Sequence, residues 1–365
     1  MGRSIVPHAA PAHAHDMTTH DPHHQGAAHI HLQPGTARAV LEALARTSPE
    51  YGPGLTDHAA MAVEALERIA PAAIEPFASR YLPRLRSLDR EPDAALAGFG
   101  ALAASCAERL ARDGAARSLA AEAPALGRSV AGAAFHGILR VAHAARGLER
   151  DDHPVRRAEL GRALAYATIR ADVLPGRPEG ASGGSLSLGD ALAQLAPSPE
   201  ALVHRPGMIT PTLVARAAAH PALAAVSAAL RRDGEPVARA LELRREATRL
   251  LARGEHAPAV TFTLLHAVTG SEAVLTLAKR LPREQAHLLV SEGAHALLAM
   301  RVAFVGALER PSTGAAAAWP ALVARAVASL DDHAIKLAAA LDDPEGLEDD
   351  ARRAALEAWL TRLHA

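Results

Sequence analysis

Phe135-His136-Gly137-Ile138-Leu139-Arg140-Val141-Ala142-His143-Ala144-Ala145-Arg146 decides how this chain is read. Phe135, Ile138, Leu139, Ala142 and Ala145 recur at the spacing of one face of an α-helix, not at the two-residue period of a strand. His136, Arg140 and His143 stand at i, i+4 and i+7, which puts three polar groups on one stripe of that same helix. The stretch belongs to an amphipathic segment over about 117–148. Similar segments run over 36–47, 57–69, 72–86, 92–113, 154–172, 187–195, 211–231, 235–253, 257–280, 282–308, 315–342 and 347–363. Ala, Leu, Arg and Glu, all strong helix formers, dominate them. Ser198-Pro199 and Asp233-Gly234 read as breaks, and Pro154, Pro211, Pro236 and Pro282 stand where helices should begin. No two-residue alternation bounded by turn residues is found. The expected fold is all-α: one large multi-helix bundle over residues 37–365.

Composition narrows the function classes. The chain has 365 residues, 49% of them hydrophobic and 22% charged, which supports a sizeable core. Lys+Arg is 39 against Asp+Glu 40, so the formal net charge of −1 provides no field to attract nucleic acid or an anionic membrane. The aromatic fraction of 3% argues against base-stacking RNA readers. The single cysteine, Cys106, excludes disulfide scaffolds, iron–sulfur clusters and thiolate zinc sites. No secretory core is visible near the start, and no run of about 18 uncharged apolar residues occurs, so a soluble cytoplasmic protein is expected.

Histidine is the outlier, with 20 copies. Eight of them, His8, His13, His15, His20, His23, His24, His29 and His31, crowd a polar N-terminal arm over residues 1–36 with no apolar period. That composition is expected to be disordered, and to chelate metal without selecting one. The Gly-bearing stretch Pro175–Ser187 (Gly176, Gly180, Gly183, Gly184) follows no strand and lacks a P-loop lysine, so it reads as a linker or lid. Ala252–Pro258 reads as a second loop.

Outside the arm, His153, His204, His220, His256 and His364 lie near turns or the C-terminus. His58 opens a helix with Asp57 near its cap, and His266 is flanked by Leu264, Leu265 and Val268 in an apolar turn. A buried neutral imidazole needs partners for both nitrogens, or a metal on one. His333 is followed one turn later by Lys336, one of only two lysines beside 37 arginines (39 minus Lys279 and Lys336). Any single histidine is more often a core hydrogen-bonder than a ligand. Four on four separate helices point to one shared centre, of a kind that helix bundles build from facing helices. Imidazole suits iron, zinc, copper and nickel alike. Two other readings stay open: a zinc or di-metal hydrolase, disfavoured because the acids sit mostly at caps and solvent faces, and a non-catalytic helical scaffold or binding protein with core histidines.

Four segments resemble, in order, the questin oxidase-like family, all-helical proteins associated with oxidative cleavage of anthraquinone-type polyketides. They are Asp57-His58-Ala59-Ala60-Met61; Phe135–Arg146 with Glu159–Tyr166; Leu265–Ser271; and Asp332–Leu337. The chain departs from the pattern at Asp57, where Asn is usual, at Arg140, where many members have a further His, and at Ala167, where an aromatic often follows. The resemblance implies an oxidoreductase, an oxygenase using O2 on a phenolic or quinonoid substrate. Its metal would be Fe(II), non-haem, held by His58, His136, His266 and His333. Some members use NADPH, for which this chain shows no dinucleotide fingerprint. Lys336 is the fifth candidate ligand: carboxylation of its amine by CO2 would make it an anionic oxygen donor, and the alternative is an ion pair with Asp332. Arg140 and His143 are the expected catalytic hydrogen-bond donors on the open side of the metal. Asp57 and Asp332 are expected to orient imidazoles through their second nitrogen.

Overall fold

The computed structural model describes residues 37–51, 55–88, 96–176, 184–197, 209–253, 256–305 and 317–363. The His-rich arm, Gly180, Gly183, Ser198-Pro199, His204 and His364 lie outside the described residues. The helices are α1 (Ala37–Leu44), α2 (Ala59–Ile69), α3 (Ile74–Tyr81), α4 (Phe99–Asp113), α5 (Ala115–Arg128), α6 (His136–Arg150), α7 (Pro154–Ile169) and α8 (Leu188–Gln194). They continue as α9 (Ile209–Ala219), α10 (Leu223–Ala228), α11 (Pro236–Ala252), α12 (Pro258–Ala278), α13 (Arg283–Phe304), α14 (Trp319–Ser329), α15 (Asp332–Asp342) and α16 (Asp349–Arg362). The all-α expectation holds. Among the described residues the only sheet is the two-residue pair β1 (Glu50–Tyr51) and β2 (Leu55–Thr56), antiparallel.

Three expected segments are each two helices. The 211–231 segment breaks at His220-Pro221, because proline disfavours helical geometry in the residue before it. The 315–342 segment breaks at Leu330, in the left-handed region at φ 52°, and Asp331 then caps α15 by accepting from the Ala334 amide at 2.7 Å. The 117–148 segment breaks at Ser129–Phe135, and three consecutive residues take left-handed conformations: Ala133 (φ 47°), Ala134 (56°) and Phe135 (68°). Non-glycine residues enter this region at a cost of order 1–3 kcal/mol each, so the corner is strained. It starts α6 at His136.

The core gathers around α12, which packs against α6, α11, α13, α15 and α16. Although Glu272 interrupts it, α12 is long and apolar enough to cross a membrane by length and composition alone. Yet 94% of its apolar window is buried inside the protein, the pattern of a helix surrounded by other helices. Four pairwise packings, α2 on α6, α6 on α12, α12 on α15 and α15 on α2, close a ring. That ring positions the site.

Candidate metal centre

Each helix of the ring contributes one histidine. His58 is the residue just before α2, His136 opens α6, His333 is second in α15, and His266 lies mid-way along α12. The separate sequence positions converge on one point. The His58 and His136 rings stack with centroids 4.5 Å apart, His333 meets His58 at 4.7 Å, and His266 meets His136 at 4.9 Å and His333 at 5.4 Å. Ligand nitrogens of His58, His136 and His333 all fall within 4.8 Å of one another, so the protein carries a buried group with the makings of a metal site. His266 borders this trio.

Hydrogen bonds fix which nitrogen carries the proton in three of the four rings. His136 Nδ1 faces the Ala133 carbonyl at 2.5 Å, and His266 Nδ1 faces the Phe262 carbonyl at 2.8 Å. A carbonyl only accepts, so both Nδ1 atoms are protonated and both Nε2 atoms carry a lone pair. His58 Nδ1 donates to Asp332 Oδ2, which leaves its Nε2 bare as well. The bare Nε2 atoms of His58 and His136 then face each other at 2.7 Å. Two lone pairs at that distance repel unless a cation or a proton lies between them. The proton is disfavoured. Burial, followed by Lys336 and His266, holds the His58 imidazolium far below its ordinary range, and burial with His58 and His266 does the same to His136. The positive end of the helix dipole at the N-termini of α2, α6 and α15 acts in the same direction. His266 is held down to about 3, chiefly by burial, and its Nε2 is buried without a partner; so is His333 Nε2.

An ordinary core histidine in this protein looks different. His295 Nδ1 pairs with Ser227 Oγ at 3.0 Å and its Nε2 with the Pro175 carbonyl at 3.0 Å, so both nitrogens are satisfied.

Asp332 has the orienting role expected of it. Besides His58 it lies 3.3 Å from His333 Nδ1 and 3.9 Å from Lys336 Nζ. Burial alone raises a carboxyl, but His333 and Lys336 hold this one below its usual value, so it stays ionised. Asp57 does not orient an imidazole: its Oδ1 accepts from the Ala59 amide at 2.8 Å, at the start of α2. Lys336 is fully buried, and burial lowers its amine to about 8.

Arg140 and His143 do not join the cluster, which corrects the expectation that they face the open side of the metal. Arg140 is tied to Glu159 at 2.8 and 3.3 Å, and His143 to Glu64 at 2.6 Å and Arg146 at 3.2 Å. The stripe of α6 that carries them advances along the helix axis, so His143 sits about 10 Å from His136 at 1.5 Å per residue. Both line a small cavity with Glu64, Glu159 and Arg156 among α1, α2, α6 and α7. The Glu64 carboxyl, which burial alone would raise, is held far below its usual range by Arg146 and His143, and His143 falls to about 4, mainly by burial.

Two supporting groups escaped the sequence reading. Glu64 is a lone charge inside Ala59–Leu66, a run otherwise apolar, and that was a legible signal of a buried partner. Tyr81, whose hydroxyl accepts from the His58 amide at 2.9 Å, carried no such signal. Comparison with protein-family models and with curated proteins finds no match for the chain.

Proposed function

We propose that His58, His136, His266 and His333 hold one divalent metal ion, and that the protein is a metal-dependent oxidoreductase acting with O2 on a phenolic or quinonoid small molecule. The observation that carries the metal is the contact between two bare Nε2 atoms at 2.7 Å, flanked by two further buried Nε2 atoms without partners. A cation removes the repulsion and satisfies all four at once. Fe(II) is favoured by the likeness of the four ordered motifs to questin oxidase-like proteins. When bound, it would supply redox chemistry toward O2 and Lewis acidity toward a substrate oxygen.

The chain's own residues do the rest. Asp332 and the Phe262 and Ala133 carbonyls hold the Nδ1 protons, fix the rings and raise the basicity of the opposite nitrogens. Burial keeps the imidazoles neutral, the form that donates to a metal. Lys336 is placed for either of two states. As an ammonium it pairs with Asp332; carboxylated by CO2, it would put a second anion beside Asp332, which only a cation in the cluster would offset. Protein loaded with ferrous iron is expected to consume O2 in the presence of phenols or hydroquinones and to stop when chelated. Loaded protein that consumes no O2 with any of them would contradict the oxygenase reading and leave the metal centre.

A further inference from the structure

One side of the histidine cluster carries groups for which metal binding has no use. The Phe262 ring lies 4.8 Å from His266 and 5.1 Å from His333, centroid to centroid. Trp359, from α16, stands 5.7 Å from His333 and 6.0 Å from Phe262. Its indole is fixed, because Nε1 donates at 3.2 Å to Asp331, the residue that caps α15. Arg362, on the same face of α16 three residues on, lays its guanidinium over both rings, 5.2 Å from the Phe262 centroid and 4.6 Å from that of Trp359. The two imidazoles that Phe262 touches are also the two whose Nε2 is buried without a partner.

Arg362 itself is incomplete. It has no ion pair among the described residues, and its Nη1 is a buried donor with no acceptor. The more deeply buried guanidiniums of Arg140 and Arg244 also carry a nitrogen without a hydrogen-bond acceptor, but each has a carboxylate beside it, Glu159 at 2.8 Å and Glu272 at 2.9 Å, which Arg362 lacks. A buried donor left unmade is costly, and a cluster of such groups marks the place of a missing acceptor. A guanidinium presents a planar fork that suits a carboxylate or phenolate oxygen, aromatic faces suit a flat ring, and three helix N-termini directed at the cluster favour negative charge.

We propose that Arg362, Phe262 and Trp359 form a subsite that receives a small aromatic anion beside the histidine cluster, with Arg362 on its anionic oxygen. The inference rests on the metal reading and gives the donor role expected of Arg140 and His143 to Arg362 instead. The test uses the full chain loaded with Co2+, with the His136→Ala protein subtracted to remove cobalt held elsewhere. Benzoate is titrated against the cobalt visible spectrum and by calorimetry. Cyclohexanecarboxylate (same charge, no aromatic ring) and benzyl alcohol (ring, no charge) serve as controls. Wild-type protein is expected to bind benzoate more tightly than either. Arg362→Gln is expected to weaken benzoate about tenfold or more, the loss of one charge-assisted hydrogen bond, with cobalt content and helical circular dichroism unchanged. Arg362→Lys is expected to recover part of the loss, since it keeps charge without the fork. Benzoate binding that is equal in Arg362→Gln and wild type would overturn the subsite. So would wild-type protein that takes up cobalt and ignores benzoate, and in both cases the metal centre stands. Failure of the wild type to take up cobalt overturns the two together.

Discussion

Replacing Thr210 with valine tests whether the strained corner before α6 sets the position of His136. Thr210, at the start of α9, accepts from the Ala134 amide at 2.7 Å and donates to the Ala131 carbonyl at 3.2 Å. It thus clamps the three left-handed residues whose last member, Phe135, adjoins His136. Valine has nearly the same shape and no hydroxyl. The change leaves the Ala134 amide and a carbonyl without their side-chain partner, at about 1–3 kcal/mol, in a corner already storing several kcal/mol of backbone strain. Urea unfolding of the metal-free protein should show that loss, and Thr210→Ser should restore most of it. Relaxation of the corner also shifts His136, so Co2+ affinity, measured against a competing chelator, should fall about tenfold or more, as when other groups that orient a ligand are removed. Two results would refute the reasoning. Unchanged stability would mean that the corner needs no clamp. Lost stability with wild-type cobalt affinity would make Thr210 a strut of the fold only.

Asp332→Asn should lower metal affinity about 10- to 100-fold, because the His58 Nδ1 proton loses its anionic acceptor; an unchanged affinity in the chelator assay contradicts that. Gly270→Ala would place a Cβ 2.8 Å from Phe135 Cδ1, so overpacking of about 1–3 kcal/mol should outweigh the gain in helix propensity and lower the melting temperature; a rise contradicts it. The metal-free protein should lose stability as pH falls below about 6.5. Burial holds His266 at about 3 and His143 at about 4 in the folded state, while the unfolded chain titrates near the ordinary imidazole value of 6.5, so unfolding takes up protons between those limits. Each such group then costs at most about 1.4 kcal/mol per pH unit, and equal urea midpoints at pH 7.5 and 5.5 would refute this. Carboxylated Lys336 should make the metal-loaded protein heavier by one CO2 in native mass spectrometry and lose it in acid; an unmodified mass contradicts it.

Helix type was legible because period and propensity agree over most segments, as in α11 and α13, each opened near a proline. Helix ends inside long apolar segments were not. Nothing in Ala131-Gly132-Ala133-Ala134 advertises a left-handed corner, since alanine favours helix and the break is imposed by Thr210 and by Phe135 packing against Gly270. The four cluster histidines were legible as polar groups within helical segments, and Asp332 as a neighbour of His333. Their convergence belongs to the packing of α2, α6, α12 and α15, which no local pattern encodes. The stripe logic that grouped Arg140 and His143 with His136 misled for a plain reason. Residues on one face of a helix are separated along its axis, and a metal site gathers single residues from several helices. Arg362 and Trp359 lie at the far end of the sequence, and only the docking of α16 brings them to Phe262.

Metal content tests the buried histidine centre most directly. Full-length protein without an affinity tag should be compared, by elemental analysis after exposure to Fe2+ under anaerobic conditions, with the His136→Ala and His266→Ala proteins. Because any metal held by the histidines of residues 1–36 is common to all three, the difference isolates the buried cluster. The wild type is predicted to hold one ion per chain more than either variant, with helical circular dichroism the same in all. Equal metal content in the three proteins would contradict the centre and leave the histidines as core hydrogen-bonders of a helical scaffold.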